Sequence, residues 1–364
     1  LVVLLVLGGW LGDSLGQALT VAGGGPISAR LAEWGRFHHL GWLVNELERI
    51  QYDLHPPRTG GTVRGGIPAV TTPAVVVPAR HVRTSAFALP VPRPIVPFAH
   101  PALAGEGTWR TLVLVKGVPA LRVAYLRPDA VHTSYLTGVF WFNPRLLTFQ
   151  LHPGTQVPGG SGWAVGPELA STGLGSLVAT FNSGFTLVDN RGGFYEDGRT
   201  AKPLVTGGAS LVFYRNGTAT VGSWGSEVHM TRDVVAVRQN LDLMINNGTI
   251  APDIGVNDTP TWGYTIGNTY YVFRSGIGVT ASGALVYVAG NALSTTTLAR
   301  ILLRAGAVRA MELDINPDWV SGMWYSHPTA TTAVPHLLTR DEVPSAYRYF
   351  SVSARDFVSV YARS

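Results

Sequence analysis

Between Trp109 and Leu293 the chain is a succession of short apolar runs cut by glycine and asparagine turns, and this pattern constrains the fold more than any other feature. TLVLV, ALRVAYL, VFWF, SLVFY, TATVG and ALVYVAG are rich in β-branched and aromatic residues, the composition of strands. Arg215-Asn216-Gly217-Thr218 puts Asn-Gly at the tip of a hairpin between SLVFY and TATVG. A second Asn-Gly stands at Asn247-Gly248, and Ala281-Ser282-Gly283 joins YYVFRSGIGVT to ALVYVAG. LVATF, Leu177 to Phe181, reads as a buried strand running into Asn182-Ser183-Gly184-Phe185.

One helix interrupts this pattern. Ser294 is placed to cap a helix from Thr295 to Ala305, in which Leu298, Ile301, Leu302 and Ala305 recur at i, i+3, i+4 and i+7. Gly306 supplies the left-handed stop, and RAMELDINPDW follows. Read as a strand, this stretch turns Met311, Leu313 and Ile315 to one side and Ala310, Glu312, Asp314 and Asn316 to the other, until Pro317 ends it. Desolvating a carboxylate costs several kcal/mol unless it is paired, so Glu312 and Asp314 need either a partner or a chemical role. Ion pairs with arginines such as Arg300 or Arg304, or a place facing water, are the plain alternatives.

Two further segments end a β-pattern in small residues and carry an unusual polar group. In ATFNSGF, Asn182 points away from Phe181 and Ser183, and Gly184 would let a substrate approach the backbone. In YYVFRSGIGV, Arg274 shares a face with Tyr270 and Val272 and is followed by Ser275, Gly276 and Gly278. A planar guanidinium there fits an anion clamp, and an ion pair with Glu312 or Asp314 is the alternative.

The regions before the β-pattern differ in kind. Residues 1–22 open on LVVLLVLGGWLG, shorter than the ~20 apolar residues that span a bilayer, and read as the C-terminal part of a transmembrane anchor, with a signal segment as competitor. Residues 23–55 contain a capped amphipathic stretch, a membrane-proximal helical segment. Residues 56–105, in which Pro recurs every few positions, read as an extended linker, though AVVV at Ala74 to Val77 could pair at a sheet edge. Residues 106–364 form the main domain. The expected class is α+β: a curved, mixed or antiparallel sheet with a few covering helices, behind an N-terminal helical segment and a Pro-rich linker.

Several function classes are excluded. The net charge of +5 is scattered over arginines, with lysine only at Lys116 and Lys202, so no face is built for nucleic acid. With no cysteine there are no disulfides, thiolate metal sites or cysteine nucleophiles. The histidines, His38, His39 and His229 among them, lack ligand spacing. A divalent cation at Glu312, Asp314 and Asp318 is chemically admissible, but no metal or cofactor is expected.

In order, three of these segments resemble the phosphodiester glycosidase family. Asn182-Ser183-Gly184-Phe185 is similar to its Asn-Gly-Gly-Phe-like turn, Arg274-Ser275-Gly276-Ile277-Gly278 to its Arg-(Thr/Ser)-x-(Ile/Val)-Gly segment, and Gly306 to Asp314 to its strand ending in Leu-Asp. Pro158-Gly159-Gly160 and Arg238-Gln239-Asn240 extend the likeness to actinobacterial envelope-type members. Where the family continues in a Gly-Gly-Gly-Ser-like turn, this chain has Ile315-Asn316-Pro317-Asp318-Trp319, a stiffer wall. The resemblance implies an extracytoplasmic, membrane-anchored hydrolase of a glycosyl phosphodiester or related envelope glycan. Arg274 would hold phosphate, Asp314 and Glu312 would act as acid and base, and Asn182 would orient the substrate. Ser183, Gly184, Ser275, Gly276, Asn316 and Trp319 would line the site. The competing expectation is a non-catalytic envelope module that binds glycan or protein through Trp262, Trp319 and Trp324.

Overall fold

The computed structural model describes residues 12–20, 27–69, 74–77, 87–255, 259–263 and 271–363. Three sheets carry the main domain. The first has nine strands among the described residues, with Thr137–Phe142, Leu285–Leu293, Val272–Thr280 and Ala307–Glu312 adjacent at its centre. The second has five, with Val234–Gln239 in the middle, and the third also has five, with Leu177–Asn182 beside Phe357–Ala362. The strands named among the described residues pair antiparallel, except that Ala74–Val77 adds to Arg110–Val115 in parallel.

The class is therefore mostly β, with 35% strand and 14% helix, and the expected α+β arrangement of one sheet under a few helices is corrected. The reason lies in the central strands. TGVFWF and LVATFN are buried at all six positions, so both faces must be covered. Within the domain the one long amphipathic helix described, Thr295–Arg304, covers one face of the nine-stranded sheet through Leu298, Ile301 and Leu302. The opposite face of that sheet packs against the other sheets, around Phe140, Phe142, Phe181 and Tyr287.

Local signals hold where they are strong. Ser294 Oγ accepts the Thr297 N–H at 3.0 Å, and Gly306 sits at φ +97° just beyond the helix. The Asn216-Gly217 turn joins Ala209–Tyr214 to Ala219–Ser223, with Gly217 at φ +80°.

Ahead of the domain, residues 12–20, Ile27–Phe37 and Gly41–Leu54 are helical, and the last two pack on one another. No helix among the described residues is long and apolar enough to cross a membrane, so none of them shows the expected transmembrane anchor. Most of the apolar opening, residues 1–11, lies outside the described residues, as does Tyr270. The described parts of the Pro-rich stretch hold no helix and one short strand, Ala74–Val77, and they bind to the domain. Ile95 and Ala99 are buried, and Arg127 donates to the Ala99 and Pro101 carbonyls while pairing with Glu106.

Candidate functional site

The three sheets bring five strand ends to one corner. Leu177–Asn182, Val234–Gln239 and Ala307–Glu312 arrive by their C-terminal ends, and Val272–Thr280 and Phe357–Ala362 start there. Gly276 pairs with Glu312, and the ladder continues past the strand as Ser275 N–H reaches the Asp314 carbonyl at 3.0 Å and Leu313 N–H the Ser275 carbonyl at 2.9 Å. Phe357 stands opposite Asn182, so Arg355 and Asp356 lie beside the Asn182–Phe185 turn.

Glu312 ends the strand, five residues before Pro317. The cause is Asp314, whose Oδ1 accepts the N–H groups of Ile315 at 2.8 Å and Asn316 at 3.0 Å. A side chain that captures its own following amides removes them from the sheet. Asn316 repeats the device on Asp318 N–H at 2.8 Å, and its carbonyl accepts from Trp319 and Val320. The backbone thus turns tightly without glycine.

Asp314, 4% exposed, also takes Arg355 Nη2 on its Oδ2 at 2.6 Å. Arg355 reaches the Gly184 carbonyl at 3.5 Å and lies 5.0 Å from the centre of the Trp319 ring, with Arg348 at 5.1 Å from the same ring. Glu312 is wholly buried and its Oε1 is 2.5 Å from Arg274 Nη1, while Oε2 has no hydrogen-bond partner among the described residues. Burial pushes the Glu312 carboxyl up to about 7 against the pull of Arg274, and the nearby Asp314 charge adds to the rise. A third pair, Arg238 with Asp356 at 2.6 Å, is fully buried. Asn240 closes the corner, accepting from Phe185 N–H and donating to the Glu312 carbonyl.

The residues that the sequence offered for a hydrolase site are at or beside this corner, but several are used differently from expectation. Asn182 accepts Tyr287 O–H at 2.7 Å and Ser321 N–H at 3.1 Å, and donates to Ser275 Oγ and the Ser183 carbonyl. Its amide is saturated by protein, so it fixes Ser275 instead of presenting itself to a ligand. Arg274, offered as an anion clamp or as an ion-pair partner of Glu312 or Asp314, is 1% exposed and takes the second course, committed to Glu312 and the Leu293 carbonyl. A Cβ on Gly184 would meet Asn240 and Arg238, and one on Gly276 would meet Leu302 and the Met311 carbonyl, so protein fills the space expected for substrate. Ser183 Oγ is buried without a partner among the described residues. Trp319 and Trp262 are each 3% exposed and Trp324 stacks on His336, which leaves no aromatic shelf of these three. Among the described residues no three His, Asp or Glu side chains are grouped to hold a metal ion.

Sequence reasoning missed Arg355 and Asp356. Their signal was Ala354-Arg355-Asp356 directly before the apolar FVSVYA, where adjacent opposite charges enter a strand with five of its six residues buried.

No family model and no curated protein matches the chain. Among solved structures it is similar to the catalytic domain of zebrafish N-acetylglucosamine-1-phosphodiester alpha-N-acetylglucosaminidase, described as auto-inhibited by its pro-peptide. That likeness has 14% identity and a TM-score of 0.43 over 68% of this chain and 84% of that one. A hypothetical protein from Synechocystis aligns over 72% of this chain and 65% of its own, with 12% identity and a TM-score of 0.39. These are distant likenesses in fold.

Proposed function

We propose that the corner is the active site of an extracytoplasmic hydrolase of glycosyl phosphodiesters or related envelope glycans. The observation that carries this reading is the convergence of four sequence-distant segments on two neighbouring carboxyls with different surroundings. Asp314 is bonded by the Arg355 guanidinium and two amides, whereas Glu312 has one orphaned oxygen and a raised proton affinity. Two carboxyls whose environments differ in this way suit the pair of acid and base that glycosidic cleavage requires.

In this reading water attacks the sugar carbon and the bond from that carbon to the phosphate oxygen breaks. The sugar leaves with a hydroxyl from water, and the phosphate departs as a monoester that takes up the remaining proton. Asp314 accepts the water proton and Glu312 supplies one to the departing oxygen. Arg274 acts through Glu312, holding its carboxyl in place. Asn182 positions Ser275, whose hydroxyl and N–H both bond the Asp314 carbonyl.

The test is a comparison of a sugar 1-phosphodiester with the matched aryl glycoside that lacks phosphate, using the purified chain. Turnover confined to the phosphodiester supports the reading. Turnover of neither substrate, with the protein shown folded, refutes it.

A further inference from the structure

The three guanidinium–carboxylate pairs at the corner are not equivalent. Arg238 is wholly buried and bonds Asp356, the Gln239 carbonyl and the Phe185 carbonyl. Arg274 is sealed by Glu312 and the Leu293 carbonyl. Turning either toward a ligand would strand a fully buried carboxylate without its charge partner.

Arg355 differs in three respects. Its side chain keeps 9% of its surface accessible and that of Asp314 keeps 5%, against 1% or less for both members of the other two pairs. Its partner Asp314 already has the Ile315 and Asn316 amides on the other oxygen, so the carboxylate keeps two donors when Arg355 turns away. Its guanidinium also lies against Trp319, a flat wall that limits its motion, and Arg348 adds a second positive charge at that ring.

We propose that Arg355, resting on Trp319, is the cation that contacts the anionic phosphate group of the substrate, in place of Arg274. The identity of the anion rests on the phosphodiester reading above. The planar guanidinium matches two phosphate oxygens, a geometry a lysine ammonium cannot supply. Arrival of the phosphate exchanges one Arg355 partner for another and turns Asp314 toward the reacting atoms. Trp319, in the stiff turn after Asp314, then serves to support the guanidinium.

Inorganic phosphate is the probe, titrated into the full chain by calorimetry with wild type, Arg355→Gln, Arg355→Lys and Arg274→Lys. Arg355→Gln should weaken phosphate by about tenfold or more, and Arg355→Lys by less, because it keeps the charge and loses the fork. Arg274→Lys should weaken phosphate less than Arg355→Gln does. A second measurement needs no variant: phosphate should slow phenylglyoxal modification of Arg355, mapped by mass spectrometry. The proposal is overturned if wild type binds no phosphate, if Arg355→Gln retains full affinity, if Arg274→Lys is the variant that loses it, or if phosphate gives Arg355 no protection. Phosphate binding through Arg355 without phosphodiester turnover would refute the hydrolase reading alone and leave this assignment standing.

Discussion

Glu312 and Asp314 are two positions apart, yet one lies under the sheet with a single arginine contact and the other leaves the sheet through a turn of its own making. With its carboxyl held at about 7, Glu312 is protonated in mildly acidic solution and loses its proton as pH rises through neutrality. If it is the acid, turnover should fall above about pH 7 in the wild type. Glu312→Gln should abolish that limb and lower kcat at pH 6 by ~100-fold or more, since an amide donates no proton. A pH–rate profile of both proteins checks this, and an unchanged alkaline limb in the variant would remove Glu312 from the reaction. The sequence marked these carboxylates as anomalous and offered Arg274 as a partner for either, but it did not point to Arg355. Arg274, 38 positions away, and Arg355, 41 positions away, find their partners only through sheet pairing, and no local pattern encodes that.

The 295–304 helix was legible almost to the residue because cap, apolar stripe and glycine stop are local chemistry. Its capping bond, Ser294 to Thr297 N–H, should be worth ~1 kcal/mol, so Ser294→Ala should lower the unfolding free energy by about that amount in a denaturant titration. A variant as stable as wild type would show the cap to be idle. The strand that follows was read four residues too long, through Asn316 where it ends at Glu312. The period-2 pattern continues through Asp314 and Asn316, but side-chain capture of the Ile315 and Asn316 amides competes with the ladder and wins. Sheet assignment was less legible still. TGVFWF and LVATFN declare themselves buried, but an apolar run does not say whether a helix or another sheet covers it.

Over the whole molecule, buried ionisable groups set how stability depends on pH. Burial holds the Glu312 carboxyl at about 7 and that of Glu342 at about 8, both above the ordinary value of 4.5, so the folded state binds their protons more tightly. Their contribution is fully present below about pH 4.5 and is lost as pH rises through 7 and 8. Burial holds His152 at about 4, below its ordinary 6.5, so its contribution is present above 6.5 and lost as pH falls through 4. Summed over these three groups, thermal melts should be highest near pH 4.5 and decline as pH rises toward 8. A melting temperature that keeps rising from pH 7 to 9 would contradict the burial of the two carboxyls.

The central claim is that the corner performs chemistry through Asp314, and turnover of a sugar 1-phosphodiester by wild type and by Asp314→Asn tests it most directly. The substitution preserves shape and removes the charge that a base requires, so a folded variant should lose ~100-fold or more in kcat. Equal turnover by both proteins would contradict the account.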